Sequence, residues 1–561
     1  MKKSYMFILV MCVVALLVGC SPATATTTLS QGTTTKNTTT STSQGTTIEG
    51  NQSNLNAPGV FPVSNEKITF NFLTRHFSEG SGKYDLYTND VTKLLEEKTN
   101  IHIEWDYLPA EDAETKLNLI IVGGEYPDVL FEYPIDQSKI LEWSEEEIII
   151  PQNDLIENHT LEYRKILQDR EDIRIASTAP DGNIYSWVRT DGGIHILVNT
   201  KIFVYDTWRT QYLDATGNKV ETTDEYRDML IYFRDNDMNG NGNASDEIPM
   251  SGSSGTLIES MLNPFVYGRN MYLEDGQIKV NFNQEKYREG LRYIKSLWDE
   301  KLLDEELFTQ NAQQITALVN QSSVNEMIVG GFCSLWDGSY INPAVVPYEA
   351  YKGVAPLIGP DGTRQTVYSK ADVKAGYGVI FNTCENPEAF VQWMDYLYSE
   401  EGTILMAYGI EDISWKWVDY PSLDGDPKSV SRTAPVGTLY ERNVQWIATA
   451  PCYRTPKIKY LETAEPGQSG ASLYNSSMLY MPHADPDKAI PNNMWMTADQ
   501  SSQLALFKAS IDEYVKEAAA GFIVGELSLD TDWDTYLAQL KAMNLDEYIA
   551  VNQEIYDTNA K

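Results

Sequence analysis

Residues 66–77 read EKITFNFLTRHF. Ile68, Phe70 and Phe72 fall at every second position among β-forming neighbours, the pattern of a strand with one buried face. Tyr87, Val91, Leu94 and Leu95 then recur at helical spacing. Residues 100–109, NIHIEWDYLP, read as a second strand. Residues 112–133, DAETKLNLIIVGGEYPDVLFEY, read as a helix stopped by Gly123-Gly124, then a strand through Val129 to Phe131. Strands alternating with helices predict an α/β fold built on a mainly parallel sheet. The rhythm recurs downstream. GIHILVNTKIF (193–203) and KAGYGVIFNT (374–383) are strand-like, whereas DEYRDMLIYFRD (224–235) and QEKYREGLRYIKSLWDEKLL (284–303) are helical. NPEAFVQWMDYLYSEEG (386–402) reads as one helix with Pro387 at its start and Gly402 at its end. The C-terminal residues 533–557 are helical, and no long period repeats.

The first 20 residues pair Lys2 and Lys3 with an apolar run from Tyr5 to Val18. A run that short suits a secretory signal better than a membrane span, which needs about 20 residues. Leu17-Val18-Gly19-Cys20 resembles the lipobox of bacterial lipoproteins, which implies a lipid on Cys20 and an extracellular, membrane-anchored chain. Residues 21–56 are rich in Thr and Ser, with too little apolar surface for a core, and read as a disordered tether. The rest is long enough for two lobes.

The formal net charge is −37, with acids spread along the whole sequence. That balance argues against nucleic acid and anionic membrane surfaces as partners and for a solvated extracellular surface. Cys333, Cys384 and Cys452 are too widely spaced for a metal motif or a disulfide framework and read as small apolar core residues.

Five segments in order carry a resemblance: KLNLIIVGGEYPDVLF (116–131), DGNIYSW (181–187), MNGNGNASDEIPMSG (238–252), VIFNTCENPEAFVQWMDYLYSEEG (379–402) and residues 521–557. Together they resemble the extracellular solute-binding lipoproteins of bacterial ABC sugar importers, the family-1 type that includes maltose- and alginate-oligosaccharide-binding proteins. The resemblance implies a two-lobed, periplasmic-binding-protein-like fold with crossing hinge segments and a cleft that closes on its ligand. It divides the chain into residues 57–190 plus 353–405 for lobe one and 195–352 plus 410–561 for lobe two. It also implies a monomer that delivers a saccharide to a membrane permease.

RDNDMNGNGNASDEIPMSG (234–252) is the densest set of oxygen donors on the chain. Calcium takes six to eight oxygens, supplied by alternate residues of a tight loop. Two registers fit. One uses Asp235, Asp237 and Asn239, turns at Gly240 and closes with Asp246. The other uses Asp237, Asn239 and Asn241, turns at Gly242, takes the Asn243 carbonyl and closes with Asp246 and Glu247. The family pattern favours the second, from which this chain departs by one residue before Asp246. A metal-free Asn/Gly turn is the competing reading. With no histidine beside it and a helix leading in, the loop reads as a structural calcium staple, not a catalytic centre.

A sugar cleft needs aromatic platforms and planar polar groups on loops. Aromatic residues beside chain breakers are therefore the candidates. Trp336 and Asp337 lie in GGFCSLWDGSY, Trp187 and Arg189 near the expected crossing, and Glu411, Trp415 and Trp417 in YGIEDISWKWVDY. Trp336 stands roughly where maltose-binding relatives stack a sugar. Arg75 and Tyr133 end early strands, where open α/β sheets bind ligands. Trp298 and Trp393 sit within periodic helices and read as core. The five histidines, His76, His102, His159, His195 and His483, are scattered without metal-ligand spacing and read as surface or core residues. No nucleophile, zinc or phosphate-loop motif is present, so the chain reads as a binder and not an enzyme. The competing classes are a secreted glycoside hydrolase with paired carboxylates and the same binding fold taking a peptide or another small solute.

Overall fold

The computed structural model describes residues 54–75, 84–109, 111–447 and 450–559. The expected signal segment, Cys20, most of the expected tether and His76 lie outside them. Among the described residues, no helix is long and apolar enough to cross a membrane.

Lobe one is built on the first strand expected above. Strand β1 (Ile68–Arg75) pairs in parallel with β2 (Ile101–Leu108) and β3 (Val129–Leu130). Phe70 and Phe72 turn inward together and meet Trp105, Phe131, Phe390 and Trp393 in edge-to-face and tilted contacts. Burying one such phenylalanine stabilises the lobe by roughly 1.5–3 kcal/mol. β4 (Trp187–Thr190) lies outside this sheet. In lobe two, β5 (Lys201–Tyr205) and β6 (Ser251–Gly252) precede a hairpin of β7 (Met271–Glu274) and β8 (Gln277–Val280). β9 (Gly331–Ser334) and β10 (Tyr351–Val354) complete its sheet, in the order β10-β5-β9-β6. β11 (Val373–Tyr377) and β12 (Val379–Ile380) return to lobe one, where the sheet order is β12-β3-β1-β2. β13 (Trp415–Val418) and β14 (Ser429–Arg432) form a second hairpin.

Three expectations change. The sheet of lobe two is mixed: β5 is antiparallel to both neighbours, and only β6 and β9 run in parallel. Alternation reports which face of a strand is buried, not its direction, so this was invisible to the pattern. Residues 193–203 are not one strand, since a short helix, Ile194–Leu197, precedes β5. Residues 386–402 hold one complete helix and the start of another. Pro387–Tyr398 stops at Ser399, whose hydroxyl accepts the Gly402 N–H at 3.0 Å and begins Glu400–Tyr408.

Near the expected lobe boundaries, Val354 and Leu357 pack with the core around β5 and β9, while Trp446, Ala450 and Cys452 pack with the core around β1. Three crossing segments meet: β4 and β11 pair antiparallel, and Thr190 bridges to Tyr453. Cys333 and Cys452 are buried, Cys384 is half-buried, and all three are free thiols. Trp393 is buried, and Trp298 packs partly buried against the core of lobe two.

Candidate functional site

The carboxyl ends of β1 and β3 bring Arg75, Glu132 and Tyr133 to one edge of lobe one. Glu132 is buried, and its charge adds to burial in raising the phenols of Tyr84 and Tyr377. The rings of Tyr84 and Tyr440 meet edge to face at 6.3 Å. Tyr377 also faces Arg189, whose guanidinium is buried and pairs with Asp191. Lys374 reaches Asp191 from β11 at 2.8 Å. Burial works to raise the Asp191 carboxyl, but Arg189 and Lys374 hold it below its ordinary value.

The next residues form the first crossing. Gly192 has φ +66°, and its N–H donates to Asp372 Oδ1 at 2.7 Å. A Cβ there would stand 2.6 Å from the Arg454 carbonyl and 2.7 Å from Thr455, so only glycine fits. Beyond it, burial presses the His195 imidazole down to about 3, with Lys459 and Lys201 adding to the effect, so the ring is neutral at pH 7.

Lobe two contributes the far side. Lys201, fully buried at the start of β5, donates from Nζ to the carbonyls of Val198 at 2.6 Å and Leu335 at 2.7 Å. Burial draws its amino group down to about 7, against the attraction of Asp337. Burial pushes Asp337 up to about 6, although it accepts hydrogen bonds from Ser472 and from the Gly338 N–H. Trp336 is half-buried, stacked on Tyr348 with ring centres 5.7 Å apart and planes 28° apart. Its indole lies over Gly338, where a Cβ would come within 2.3 Å of the ring.

The sequence candidates thus fall into three groups. Arg75 and Tyr133 are neighbours at the edge of lobe one, and Trp336 and Asp337 share one turn of lobe two. Trp187 and Trp415 are core residues instead. Trp187 is fully buried, stacks on Tyr163 at 4.0 Å and donates its indole N–H to Gln152. Trp415 is buried and donates to the Gly409 carbonyl, leaving Trp417 as the exposed member of that pair. Sequence reasoning missed Glu132, Asp191, Lys201, Lys374 and Tyr377. The available signal was the crowding of charges around Gly192-Gly193 beside strand ends.

In the acidic loop, the Asp237 carboxylate accepts the N–H groups of Gly240 (2.8 Å), Asn241 (3.1 Å) and Gly242 (2.8 Å). Asp235 turns away from the loop to Arg234, at 2.7 and 3.0 Å. Asn241 and Asn243 each accept a backbone N–H two residues on. Asp246 Oδ1 and Glu247 Oε2 are buried without a hydrogen-bond partner, and burial raises the Glu247 carboxyl. Among the described residues, no three or more His, Cys, Asp or Glu side chains gather as a metal site. The loop's other donors are amides and carbonyls, which calcium accepts.

Comparison with known proteins places this geometry. No family model matches. The chain is 27% identical over 516 residues to the fructooligosaccharide ABC transporter substrate-binding protein FusA of Streptococcus pneumoniae serotype 4 (strain ATCC BAA-334 / TIGR4), covering 89% of this chain and 91% of FusA. A solved structure of a FusA EF-hand mutant in complex with fructo-nystose superimposes with a TM-score of 0.68 at 23% identity, covering 87% of this chain and 99% of that one. The "HMO binding ABC-transporter associated solute binding protein" from Bifidobacterium longum infantis ATCC 15697 gives a TM-score of 0.72 at 19% identity, covering 88% of this chain and 99% of that one. The fold is that of the ABC-importer solute-binding proteins. Lipoprotein LipO of Bacillus subtilis (strain 168) is 23% identical over 370 residues, covering 60% of this chain and 66% of LipO. These relatives are named as binding proteins and a lipoprotein, not as enzymes.

Proposed function

We propose that this solute-binding chain captures an extracellular saccharide, an oligosaccharide in the first instance, by closure of its two lobes and hands it to an ABC permease. The observation that carries the reading is the polar belt from Glu132 through Arg189, Asp191 and the crossing to Lys201 and Asp337, with Trp336 at its lobe-two end. Buried, mutually compensated charges supply fixed donors and acceptors for sugar hydroxyls, and an indole supplies a face for a pyranose or furanose ring. Arg75, Tyr133, Trp336 and Asp337 are the proposed contacts on the two lobes. Closure follows if the ligand binds the closed form better than the open one.

A calcium ion would be held by Asp237, Asn239, Asn241, the Asn243 carbonyl, Asp246 and Glu247. The two orphaned acid oxygens support that assignment, because a cation supplies the partner each lacks. Its role is to pin the helix Thr223–Asp235 to the single β-bridge that Ile248 makes with Val329, ahead of β9. Lipid attachment at Cys20 would tether the chain to the outer face of the membrane, near its permease.

Calorimetry against kestose, nystose, maltotriose and a tripeptide tests the reading. Saturable binding of one intact saccharide supports it. Binding of the peptide alone, or cleavage of a glycan, would overturn it.

A further inference from the structure

Lobe two carries a small cavity of its own, about 250 Å³ in volume. None of Arg75, Tyr133, Trp336 or Asp337 lines it. Three cations do: Arg269, just ahead of β7, Lys488 and Lys508. Asp512 is the one acid among the described residues that line it. That balance runs against the rest of the chain, in which 80 acids face 43 lysines and arginines. Among the described residues, none of the three cations is held in an ion pair. Lys488 lies 5.5 Å from the centre of the Tyr267 ring and donates to Gln365 at 3.3 Å, both uncharged partners. By contrast Lys516, two turns beyond Lys508 and outside the cavity, pairs with Glu513 at 3.3 Å.

The helix that begins at Ala498 does not run regularly to Val524. Between Ala498–Phe507 and Glu513–Val524 it widens into a π turn, Lys508–Asp512. Such turns are rare and are found most often where a helix serves a site. Here Ile511 is buried in the core of lobe two, while Lys508 and Asp512 line the cavity. Burial raises the Asp512 carboxyl, and Lys508 pulls against it. Tyr267 forms the opposite wall, its hydroxyl accepting the Tyr368 N–H at 2.9 Å and donating to the Tyr368 carbonyl at 3.2 Å. Arg269, Glu259 and Asp485 all act on that phenol. Neither acid lines the cavity, and Glu259 is bonded to Thr200.

We propose that this cavity is a second ligand site, one that takes a small phosphoryl anion: inorganic phosphate or a phosphate monoester. The site depends neither on the saccharide nor on movement of the lobes. Cations gathered without counter-charges repel one another, and a dianion offsets the excess that Asp512 leaves. One guanidinium and two ammonium groups supply charge-assisted donors to its oxygens. Pockets for drug-sized ligands span roughly 300–1,000 Å³. This smaller one suits a compact anion and not an oligosaccharide. Bound there, the anion ties Arg269, Lys488 and the π turn into one unit.

The test is calorimetric titration of the protein, in chloride buffer at fixed ionic strength, with sodium phosphate, glycerol 3-phosphate and sodium acetate. Phosphate or the ester is expected to bind at one site. Arg269→Gln and Lys508→Gln are each expected to weaken that binding about tenfold or more, and Asp512→Asn to tighten it. Lys488→Gln decides the question should either cation variant not fold. Lys516→Gln is expected to leave phosphate affinity unchanged, and kestose titration to be the same in every variant. Binding of both anions supports the proposal with the phosphoryl group itself as ligand, and binding of glycerol 3-phosphate alone supports it with a monoester as ligand. Absence of saturable binding by either would overturn it. So would equal affinity for acetate, or a phosphate affinity that the cation variants leave intact. If wild-type protein ignores every saccharide, the functional reading fails, while the phosphate titrations still decide this site.

Discussion

Replacing Asp246 with asparagine separates the calcium staple from a metal-free turn. Asp246 Oδ2 accepts from Asn241 at 2.7 Å, while Oδ1 is buried without a partner. In a metal-free turn the substitution is nearly neutral, because one buried, unpaired acid oxygen is lost and the Asn241 contact can be remade through the asparagine carbonyl. In a calcium site it removes a charged ligand. A ligand bound only by the native state stabilises it by RT ln(1 + [L]/Kd), about 2.7 kcal/mol at a hundredfold excess over Kd. For a unit the size of one lobe, that raises Tm by about 5–11 °C at the usual 2–4 °C per kcal/mol. The assay is differential scanning calorimetry in millimolar calcium and in EGTA. Wild type is expected to lose several degrees in EGTA, and Asp246→Asn to melt equally in both. Saccharide binding at saturating calcium is expected to change little in the variant, since the loop's hydrogen-bond partners lie outside the belt. Equal melting of wild type with and without EGTA would refute the staple.

Trp336→Ala is expected to weaken saccharide binding at least tenfold, about 1.4 kcal/mol, with little change in Tm, measured by titration and melting. Asp337 has its carboxyl raised in the fold to about 6 by burial. Between its unfolded value near 3.9 and about 6, the folded state then holds more protons than the unfolded one. Its contribution to stability falls as pH rises through that window, and Asp337→Asn is expected to flatten that part of a denaturation-versus-pH profile. Gly192→Ala, which forces a methyl group against Arg454 and Thr455 at a positive φ, is expected to lower Tm and to slow or weaken ligand-driven closure. Scattering with and without saccharide reads that effect.

The strands with alternating aromatics were legible in the sequence because one buried face leaves a period of two. β1, β2 and the helix Thr223–Asp235, with its capping box at Thr222 and Glu225, stand where patterning puts them. The tight turn of the acidic loop was legible too, since Asn/Gly turn spacing is local, while the Arg234–Asp235 pair depends on packing that no spacing reports. The cleft was harder to read. Trp187 and Trp336 both sit beside glycine or polar breakers, yet one stacks inside lobe one and the other stands half-buried beside Asp337. That difference depends on Tyr163 and Tyr398 closing over Trp187 from helices distant in sequence. The charges of the belt come from β4 and β5 and the turns beyond β3, β4 and β9, with Lys374 reaching in from β11. No local pattern marks residues that converge only through the crossing.

The most direct test of the account is calorimetric titration of kestose and nystose followed by scattering of the same samples, with the sugar recovered and analysed. The account predicts stoichiometric binding of an intact saccharide accompanied by a more compact protein. A bound sugar with no change in shape, or its recovery as cleaved products, would contradict it.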